Sequence, residues 1–360
     1  MMHHIRRFSY SNIIANIIFL DAPVDTGFSY SKSSQGSKMG DIESAQNSYE
    51  FLRKWLIEEH PEFQSNPLYI GGDSYSGKII PIIVQDLIND IEAGKYPFLN
   101  FKGYLIGNPV TDGQLENNAE VLFAHGLGLI SYELYESMKE NCKGNNYVNL
   151  DLTNVNCSKD REVYEKCISG INVLQILEPF CPFIASQKQK QMFGYRRSPS
   201  KMREFFAVEP LSPRCRSYGY LLSQYWANDD RVRKALHIRK GTVENWIRCN
   251  YDLPYEYEVK SSIGYHRNLS TKGYRSLIYS GDHDMWVSHI STEAWIRSLD
   301  LSIANDWRPW LVSGQIAGYT RTYSNGMTYA TVKGGGHTAP EYRPEECFAM
   351  FERWISHNPL

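Results

Sequence analysis

Short apolar runs alternate with longer amphipathic stretches over the first third of the chain and again after residue 274. Short runs closed by Gly, Asn, Asp or Pro predict buried strands, whereas apolar residues repeating every three or four positions predict helices. The predicted strands are Ile17–Leu20, Leu68–Gly71, Gly103–Gly107, Ser276–Tyr279 and Thr328–Val332. The predicted helices are Ile42–Glu59, one from about Ser76, Glu293–Leu299 and one from about Pro344 to Ile355. This alternation indicates βαβ units around a parallel sheet.

The middle of the chain has a different character. From about residue 112 to 260 the pattern is helical, and five of the seven cysteines lie between residues 142 and 215. We therefore expect an α/β fold whose core is interrupted by a mainly helical segment. The predicted division is a first core part over 1–111, an inserted, disulfide-bearing cap region over 112–262 and a second core part over 263–360.

Composition narrows the class of protein. The 360 residues are 42% hydrophobic and 22% charged, as in ordinary globular chains, which excludes disordered and collagen-like proteins. A formal net charge of −2 provides no basic surplus for phosphates, so nucleic acid is not an expected partner. No apolar run approaches the roughly 18 residues of a membrane helix, so no membrane span is expected either.

The first 22 residues allow two interpretations. They begin with basic side chains and continue into an apolar stretch, as a secretory signal peptide does. However, Asn16 interrupts the apolar stretch, and Asp21 and Pro23 follow it without a small-residue cleavage site. A buried strand over Ile17–Leu20 is therefore favoured over a signal peptide.

The cysteines and two sequence triplets bear on the compartment. The cysteines are Cys142, Cys157, Cys167, Cys181, Cys215, Cys249 and Cys347. Clustering at uneven spacings without a C-x-x-C pair suits disulfides in an oxidising compartment rather than zinc. Asn156 and Asn268 each begin an Asn-x-Ser triplet, the acceptor for N-glycosylation. These features favour a secreted protein, and the odd count leaves at least one thiol unpaired.

The segment Tyr69–Lys78 reads as a strand, a serine between small residues and then a helix. This is the order of a nucleophile elbow, in which a tight turn lifts the serine, here Ser74, above the end of the strand. Gly72 and Ser76 leave room for that turn, and the helix behind it aims N–H groups at developing negative charge. An ordinary glycine-rich turn would have the same local pattern.

Two other segments place chemically active side chains directly after predicted strands. Asp282 and Asp284 follow the fourth predicted strand, and His337 follows three glycines after the fifth. The glycines permit a backbone path that would expose the histidine from a mobile loop. A metal site formed by Asp282, His283, Asp284 and His289 is an alternative, but its spacing matches no common zinc motif. Neither a metal nor a cofactor is expected.

Ser74, Asp284 and His337 occur in the Ser…Asp…His order of α/β-hydrolases. Each follows a predicted strand, and the carboxyl ends of parallel strands meet at one edge of a sheet. His337 would take the proton from Ser74 as the serine attacks an acyl carbonyl, while Asp284 would orient the imidazole. The three residues together predict acyl transfer through a covalent acyl-enzyme, ending on water or on another acceptor.

Several segments resemble the sequence motifs of serine carboxypeptidases. These segments are Leu20–Ser31 (LDAPVDTGFSYS), Gly72–Gly77, Ile106–Pro109, Tyr279–Asp282 and Gly334–His337. The resemblance extends from about residue 15 to the C-terminus, and it implies an α/β-hydrolase fold. Gly273–Asp284 (GYRSLIYSGDHD) is similar to the plant serine carboxypeptidase-like branch, which includes acyltransferases that use glucose esters. By this resemblance the nucleophile is Ser74, the aspartate is Asp284 rather than Asp282, and the base is His337.

The resemblance also bears on the disulfides and on the oxyanion hole, the pair of N–H groups that stabilises the negatively charged oxygen of the reaction intermediate. It implies that the N–H of Tyr75 is one of these two donors. It implies that this chain lacks a sizeable N-terminal part of the family, with the first strands, the loop that supplies the other oxyanion donor, and the partner of Cys249. Losing one such donor typically costs on the order of a hundredfold in rate. The disulfides implied by the resemblance are Cys142–Cys157 and Cys181–Cys215.

The residue before the nucleophile distinguishes two activities within the family. Peptidases usually have Glu there, sharing a proton with the substrate's C-terminal carboxylate, whereas Asp73 is shorter by one methylene, as in the acyltransferase-like branch. Gly72 and Asp73 are the expected substrate-binding residues. Acyl transfer from a glucose ester to a small acceptor is therefore favoured. The resemblance implies the secretory pathway as the location, with the vacuole or the extracellular space as the compartment. The alternatives are a carboxypeptidase acting on peptides and an inactive, truncated family member.

Overall fold

The computed structural model describes residues 14–33, 36–95, 99–143, 147, 154–181, 215–250 and 252–360. Its strands are β1 Met39–Gly40, β2 Leu68–Asp73, β3 Phe101–Gly107, β4 Tyr255–Glu256, β5 Arg275–Gly281, β6 Ile303–Val312, β7 Gln315–Tyr323 and β8 Met327–Val332. Its α-helices are α1 Asp41–Lys54, α2 Ser76–Glu92, α3 Gly113–Gly126, α4 Tyr132–Asn141, α5 Val155–Ile168, α6 Ser217–Asn228, α7 Asp230–Ala235, α8 Ile263–Leu269, α9 His289–Ser298, α10 Ala339–Tyr342 and α11 Pro344–Ile355. A π-helical turn, Trp55–Glu59, continues α1.

The described chain divides into two compact units. The first contains Asp41–Leu177 and Tyr257–Leu360 with the described start of the chain, and it holds a six-stranded sheet. The second contains Phe19–Gly40 and Glu178–Glu256, and its strands β1 and β4 pair in parallel. These boundaries differ from the predicted three-part division, because residues 112–177 group with the sheet. The division into a core and an inserted cap stays a prediction.

The six-stranded sheet has the order β2-β3-β5-β8-β7-β6. The first four strands in this order are parallel, and β7 and β6 continue the sheet in antiparallel pairing. Parallel strands are usually covered on both faces, and here every residue of β8 and all but the first residue of β5 are buried. The carboxyl ends of β2, β3, β5 and β8 therefore lie side by side along one edge.

Helices cover both faces of this sheet. On one face, α2 and α9 contribute side chains such as Val84 and Trp295 to a core with Ile106 and Ile278. On the other face, α11 packs Trp354 against apolar side chains of β5 and β8 such as Leu277. α11 starts at the predicted residue because Pro344 lacks an N–H and suits the first turn of a helix.

The predicted strand over Ile17–Leu20 is wrong. These residues have no strand conformation, and Phe19 is 85% exposed. A strand needs a neighbouring strand to satisfy its N–H and C=O groups, and none of the described strands pairs with this segment. The apolar run therefore lacks the partner that would convert local propensity into a strand.

The other predicted elements are found, most of them with ends shifted by a few residues. The predicted helix Glu293–Leu299 begins earlier, at His289, where the side chain of Ser288 caps the helix by accepting from Ser291 N–H. The hairpin of β6 and β7 was not predicted from the hydrophobic pattern. Most residues of β6 are exposed and Pro309 lies within it, so the strand has little of the alternation that marks a half-buried strand.

The structure contains two disulfides, Cys142–Cys157 in the first unit and Cys181–Cys215 in the second. Their Cα atoms are 5.0 and 5.8 Å apart, within the usual range for a disulfide. Cys167, Cys249 and Cys347 are free thiols. Among the helices of the described ranges, none is both long enough and apolar enough to cross a membrane.

Candidate active site

Ser74 stands on the turn between β2 and α2. Its φ is +57°, a left-handed conformation that is costly for a residue with a side chain. Hydrogen bonds of 2.9 Å hold the turn: Ser74 N–H donates to Gly107 C=O, and Ser74 C=O accepts from Gly77 and Val110 N–H. The turn is therefore clamped by the end of β3, and the strained conformation is imposed by its surroundings.

His337 follows β8 on a glycine loop, Lys333–Thr338, which we call the histidine loop. The side chain is largely buried, with 10% of its surface exposed. Gly334 has a φ of +75°, which glycine adopts at little cost. The expectation of an exposed histidine is not met, because other parts of the chain pack closely against this loop.

Ser74, His337 and Asp284 are joined by hydrogen bonds. His337 Nδ1 lies 2.7 Å from Asp284 Oδ2, and Nε2 lies 2.7 Å from Ser74 Oγ. A carboxylate only accepts hydrogen bonds, so Nδ1 carries the hydrogen and the Nε2 lone pair faces the serine hydroxyl. The imidazole thus presents a base to Ser74. The indole of Trp286 lies 4.9 Å from the imidazole, centroid to centroid.

Asp284 is completely buried and receives further hydrogen bonds. Asn108 Nδ2 donates to Oδ2 over 2.8 Å, and the N–H groups of Trp286 and Val287 donate to Oδ1 over 3.0 and 3.1 Å. Asn108 also accepts from Gly281 N–H over 3.1 Å, which ties the end of β3 to the end of β5. These partners compensate for the loss of water around a buried carboxyl group.

The environment of His337 sets the direction of its pKa. Burial alone lowers the pKa, because it disfavours the imidazolium. The charge of Asp284 and its hydrogen bond act in the opposite direction, with smaller contributions from Asp73 and Glu116, and the net pKa is raised above 6.5. A raised pKa makes His337 a stronger base once the pH exceeds it.

The other three residues predicted at the serine lie at the end of β2 or just before α2. Asp73 ends β2, and its Oδ2 accepts from the hydroxyl of Thr338 over 3.1 Å. A Cβ at Gly72 would lie 2.6 Å from Ser76 Oγ, so glycine is required there for the tight turn. Tyr75 directly precedes α2, and its hydroxyl donates to the fully buried Asp41 over 2.8 Å.

The alternative metal site is not formed. Asp284 is engaged with His337, and Asp282 accepts from Gly334 N–H over 2.6 Å while its other contact is His283 Nδ1, also at 2.6 Å. Within the ranges that the structure describes, no group of three or more His, Cys, Asp or Glu side chains could hold a metal ion. Asp282 instead connects the end of β5 to the histidine loop.

Sequence reasoning missed two residues at this site. Asn108 lies in the Ile106–Pro109 motif, and its position after a predicted strand is a signal that could have singled it out. Gln175 donates from Nε2 to Gly334 C=O over 3.1 Å and is 3% exposed. Nothing in the sequence around Gln175 points to a role at the site.

The chain is similar in sequence and in structure to known proteins. A family model described as serine carboxypeptidase matches residues 4–357. Serine carboxypeptidase-like 7 and serine carboxypeptidase-like 8 of Arabidopsis thaliana are 48% and 50% identical over 351 residues, which cover 96% of this chain and 72% and 74% of theirs. The solved structure of a prohormone-processing carboxypeptidase from Saccharomyces cerevisiae superimposes with a TM-score of 0.69 at 17% identity, covering 94% of this chain and 73% of that one.

The sheet, its helices and the positions of the three residues define an α/β-hydrolase fold. The chain belongs to the serine carboxypeptidase family, and its similar relatives include plant serine carboxypeptidase-like proteins.

Proposed function

We propose that this protein transfers acyl groups through an ester intermediate on Ser74. The observation that carries the proposal is the hydrogen-bonded series of Ser74, His337 and Asp284, with 2.7 Å at each step. The left-handed φ of Ser74 and the raised pKa of His337 support the same roles for a nucleophile and a general base. Asp284 orients the imidazole and stabilises its cation.

The reaction has two steps, acylation of Ser74 and transfer of the acyl group to an acceptor. Ser74 Oγ attacks the carbonyl carbon of an acyl-glucose ester while its proton moves to His337 Nε2, and the resulting oxyanion accepts from the N–H of Tyr75 at the start of α2. The bond to glucose then breaks, and His337 returns the proton to the departing oxygen. An acceptor hydroxyl next loses its proton to His337 and attacks the acyl-enzyme, which releases the new ester and restores Ser74.

Asp73 is the reason to prefer acyl transfer over peptide hydrolysis. Its carboxylate is already bound to Thr338, and the side chain is one methylene shorter than glutamate. A short, engaged carboxylate reaches less far towards the C-terminal carboxylate of a peptide. The substrate-binding roles of Asp73 and Gly72 belong to this proposal, and carboxypeptidase activity is the competing function because family membership supports it equally.

The two disulfides support a place in the secretory pathway, because disulfides persist in oxidising compartments. The side chains of Asn156 and Asn268 are exposed, as glycosylation would require. Asn268 Nδ2, the atom that would be glycosylated, donates to Gln85 Oε1, so modification there would have to break this hydrogen bond. Both glycosylation sites stay predictions.

The test combines two substrates with a labelling reagent. The secreted protein and its Ser74→Ala variant are incubated with an acyl-glucose plus hydroxyl acceptors, with a blocked dipeptide, and with a fluorophosphonate probe. Ester formation that disappears in Ser74→Ala supports the proposal, whereas release of a C-terminal amino acid identifies a carboxypeptidase. A chain that neither turns over substrate nor reacts with the fluorophosphonate is the inactive family member.

A further inference from the structure

Residues 173–176 form hydrogen bonds with both loops of the candidate site, the one that carries Asp284 and the one that carries His337. We call Val173–Ile176 the bridging segment and 282–287 the aspartate loop. The C=O of Val173 accepts from Met285 and Trp286 N–H over 2.9 and 3.2 Å, and Ile176 N–H donates to His283 C=O over 3.2 Å. The segment is therefore bonded on both sides of Asp284.

The same segment is bonded to the histidine loop. The N–H of His337 itself donates to Leu174 C=O over 2.7 Å. Gln175 donates from Nε2 to Gly334 C=O over 3.1 Å, and its Oε1 accepts from Leu177 N–H over 3.2 Å. Gln175 and Gly334 are both buried, so removing the Gln175 amide would leave the Gly334 C=O without this partner and with little access to bulk water.

The approach between the segment and the histidine loop is close enough to require glycine. A Cβ added at Gly336 would lie 2.5 Å from Leu174 C=O and 2.9 Å from the Cβ of Gln175. Such distances leave no room for any side chain. The ring of Tyr342 would also lie 2.8 Å away, so Gly336 is explained by close packing against the bridging segment and Tyr342 rather than by mobility.

We propose that the bridging segment holds the aspartate and histidine loops in one geometry, with Gln175 as a positioning residue for His337. The inference rests on the proposed function, since it assigns a role in the activation of Ser74. The two loops leave different strands, β5 and β8, and are joined directly by two hydrogen bonds, from Gly334 N–H to Asp282 Oδ1 and from His283 N–H to Gly335 C=O. The bridging segment adds hydrogen bonds to both loops on either side of the 2.7 Å contact between Asp284 and His337. The segment gives both loops a common support.

Loosening this support has a defined electrostatic consequence. The groups that face His337 are Asp284 on the aspartate loop, Asp73 at the end of β2, Glu116 on α3 and the hydroxyl of Ser74. Asp284 makes the largest of the contributions that raise the pKa, so a longer distance between it and His337 lowers the pKa. The same displacement weakens the activation of Ser74.

The experiment uses Gln175→Met, which keeps the length of the side chain and removes its hydrogen bonds. The pKa of His337 is measured by NMR of the histidine rings, with the resonance assigned by its loss in His337→Gln, and the rate of Ser74 labelling by a fluorophosphonate is measured in parallel. We expect the NMR midpoint to fall by about one pH unit and labelling to slow by about 10- to 100-fold. Gly336→Ala disturbs the contact between the histidine loop and the bridging segment from the side of the histidine loop. It should also lower the NMR midpoint and slow the labelling of Ser74.

Gln85→Met is the matched control. Gln85 on α2 is also buried and makes two side-chain hydrogen bonds, to Asn89 and Asn268, without contacting either loop. It should leave the NMR midpoint and the labelling rate unchanged. The proposal is overturned if folded Gln175→Met or folded Gly336→Ala retains the wild-type midpoint and labelling rate. The NMR midpoint does not depend on turnover, so a wild-type protein inactive on both substrates would refute the proposed function while the shift still tests the segment.

Discussion

The orientation of Asp284 depends on a few individual hydrogen bonds. The side chain is completely buried and accepts from His337, Asn108, Trp286 and Val287. A buried carboxylate keeps its charge only if hydrogen bonds replace water, and each of these donors also fixes its orientation. Removing one donor should therefore weaken the fixed orientation of the carboxylate that holds His337.

Asn108→Ala removes the donor to Asp284 Oδ2 and leaves the buried N–H of Gly281 without an acceptor. We expect fluorophosphonate labelling of Ser74 to slow by about tenfold or more and the free energy of unfolding to fall by about 1–3 kcal/mol. Denaturant titration and labelling kinetics measure the two effects. Asn305→Ala, which removes an exposed side chain bonded to Thr322, is the control and should change neither. Equal labelling rates in Asn108→Ala and wild type would show that Asn108 does not position Asp284.

Asp73→Glu tests the residue on which the proposed preference for acyl transfer over peptide hydrolysis is based. The added methylene lengthens the side chain beyond its present contact with Thr338. Under the proposed function, the longer carboxylate reaches further towards the C-terminus of a peptide substrate. We expect the ratio of blocked-dipeptide hydrolysis to acyl transfer to rise by about tenfold, corresponding to about 1.4 kcal/mol of transition-state binding. Steady-state assays with both substrates measure this ratio. An unchanged ratio would mean that Asp73 does not select the substrate.

At the scale of elements, the site depends on how closely α2 approaches the end of β3. Ser74 C=O accepts from Val110 N–H, and the first turn of α2 lies against the loop after β3. A Cβ at Gly77 would lie 2.5 Å from Val110 C=O and 2.7 Å from Pro109 Cβ. The helix can therefore start directly behind the serine only if residue 77 has no side chain.

Gly77→Ala should move the start of α2 away from this loop and displace Ser74 with it. We expect a loss of about 1–3 kcal/mol in the free energy of unfolding and slower labelling of Ser74, because overpacking forces the backbone to shift. Thermal unfolding and labelling kinetics provide the measurements. Gly264→Ala is the control, since its added Cβ on α8 meets open space and a helical alanine is favoured. If the two variants behave alike, the close approach at Gly77 has no role in placing the serine.

At the scale of the whole molecule, a buried histidine links stability to pH. His266 is completely buried; its Nδ1 lies 3.0 Å from the hydroxyl of Tyr104, and its ring stacks on Trp295 at 4.6 Å. Burial lowers the pKa of His266 from 6.5 to about 3. Between these values His266 binds a proton in the unfolded chain but not in the folded protein, so its contribution to stability is fully present above pH 6.5 and is lost as the pH falls through this window.

The contribution of His266 should be about 1.4 kcal/mol per pH unit in this window. His266→Gln keeps a polar group near Tyr104 but cannot take up a proton. We expect a shallower loss of unfolding free energy between pH 6.5 and 4 than in wild type, measured by denaturant titration at several pH values. His357→Asn, at an exposed position after α11, should keep the wild-type slope. Parallel slopes in His266→Gln and wild type would rule out His266 as the source of acid sensitivity.

Local patterns were sufficient for most of the sheet and for the three residues that now lie together. Short apolar runs predicted four strands of the sheet, β2, β3, β5 and β8. A strand that is buried on both faces is apolar along most of its length, so its composition is enough to predict it. The proximity of Ser74, Asp284 and His337 was expected because each follows such a run, and hydrogen bonds do join the three residues. The resemblance to serine carboxypeptidases, which the family comparison confirms, used the same segments.

Other features depend on contacts between distant parts of the chain. Asn108 and Asp284 are 176 residues apart in sequence, and Gln175 and Gly334 are 159 apart, so no local pattern indicates that they meet. The strand expected at Ile17–Leu20 is absent for a related reason, because propensity does not supply a neighbouring strand. Periodicity reports whether a residue faces a core, whereas side-chain partners follow from strand order and from the path of the chain across the sheet edge.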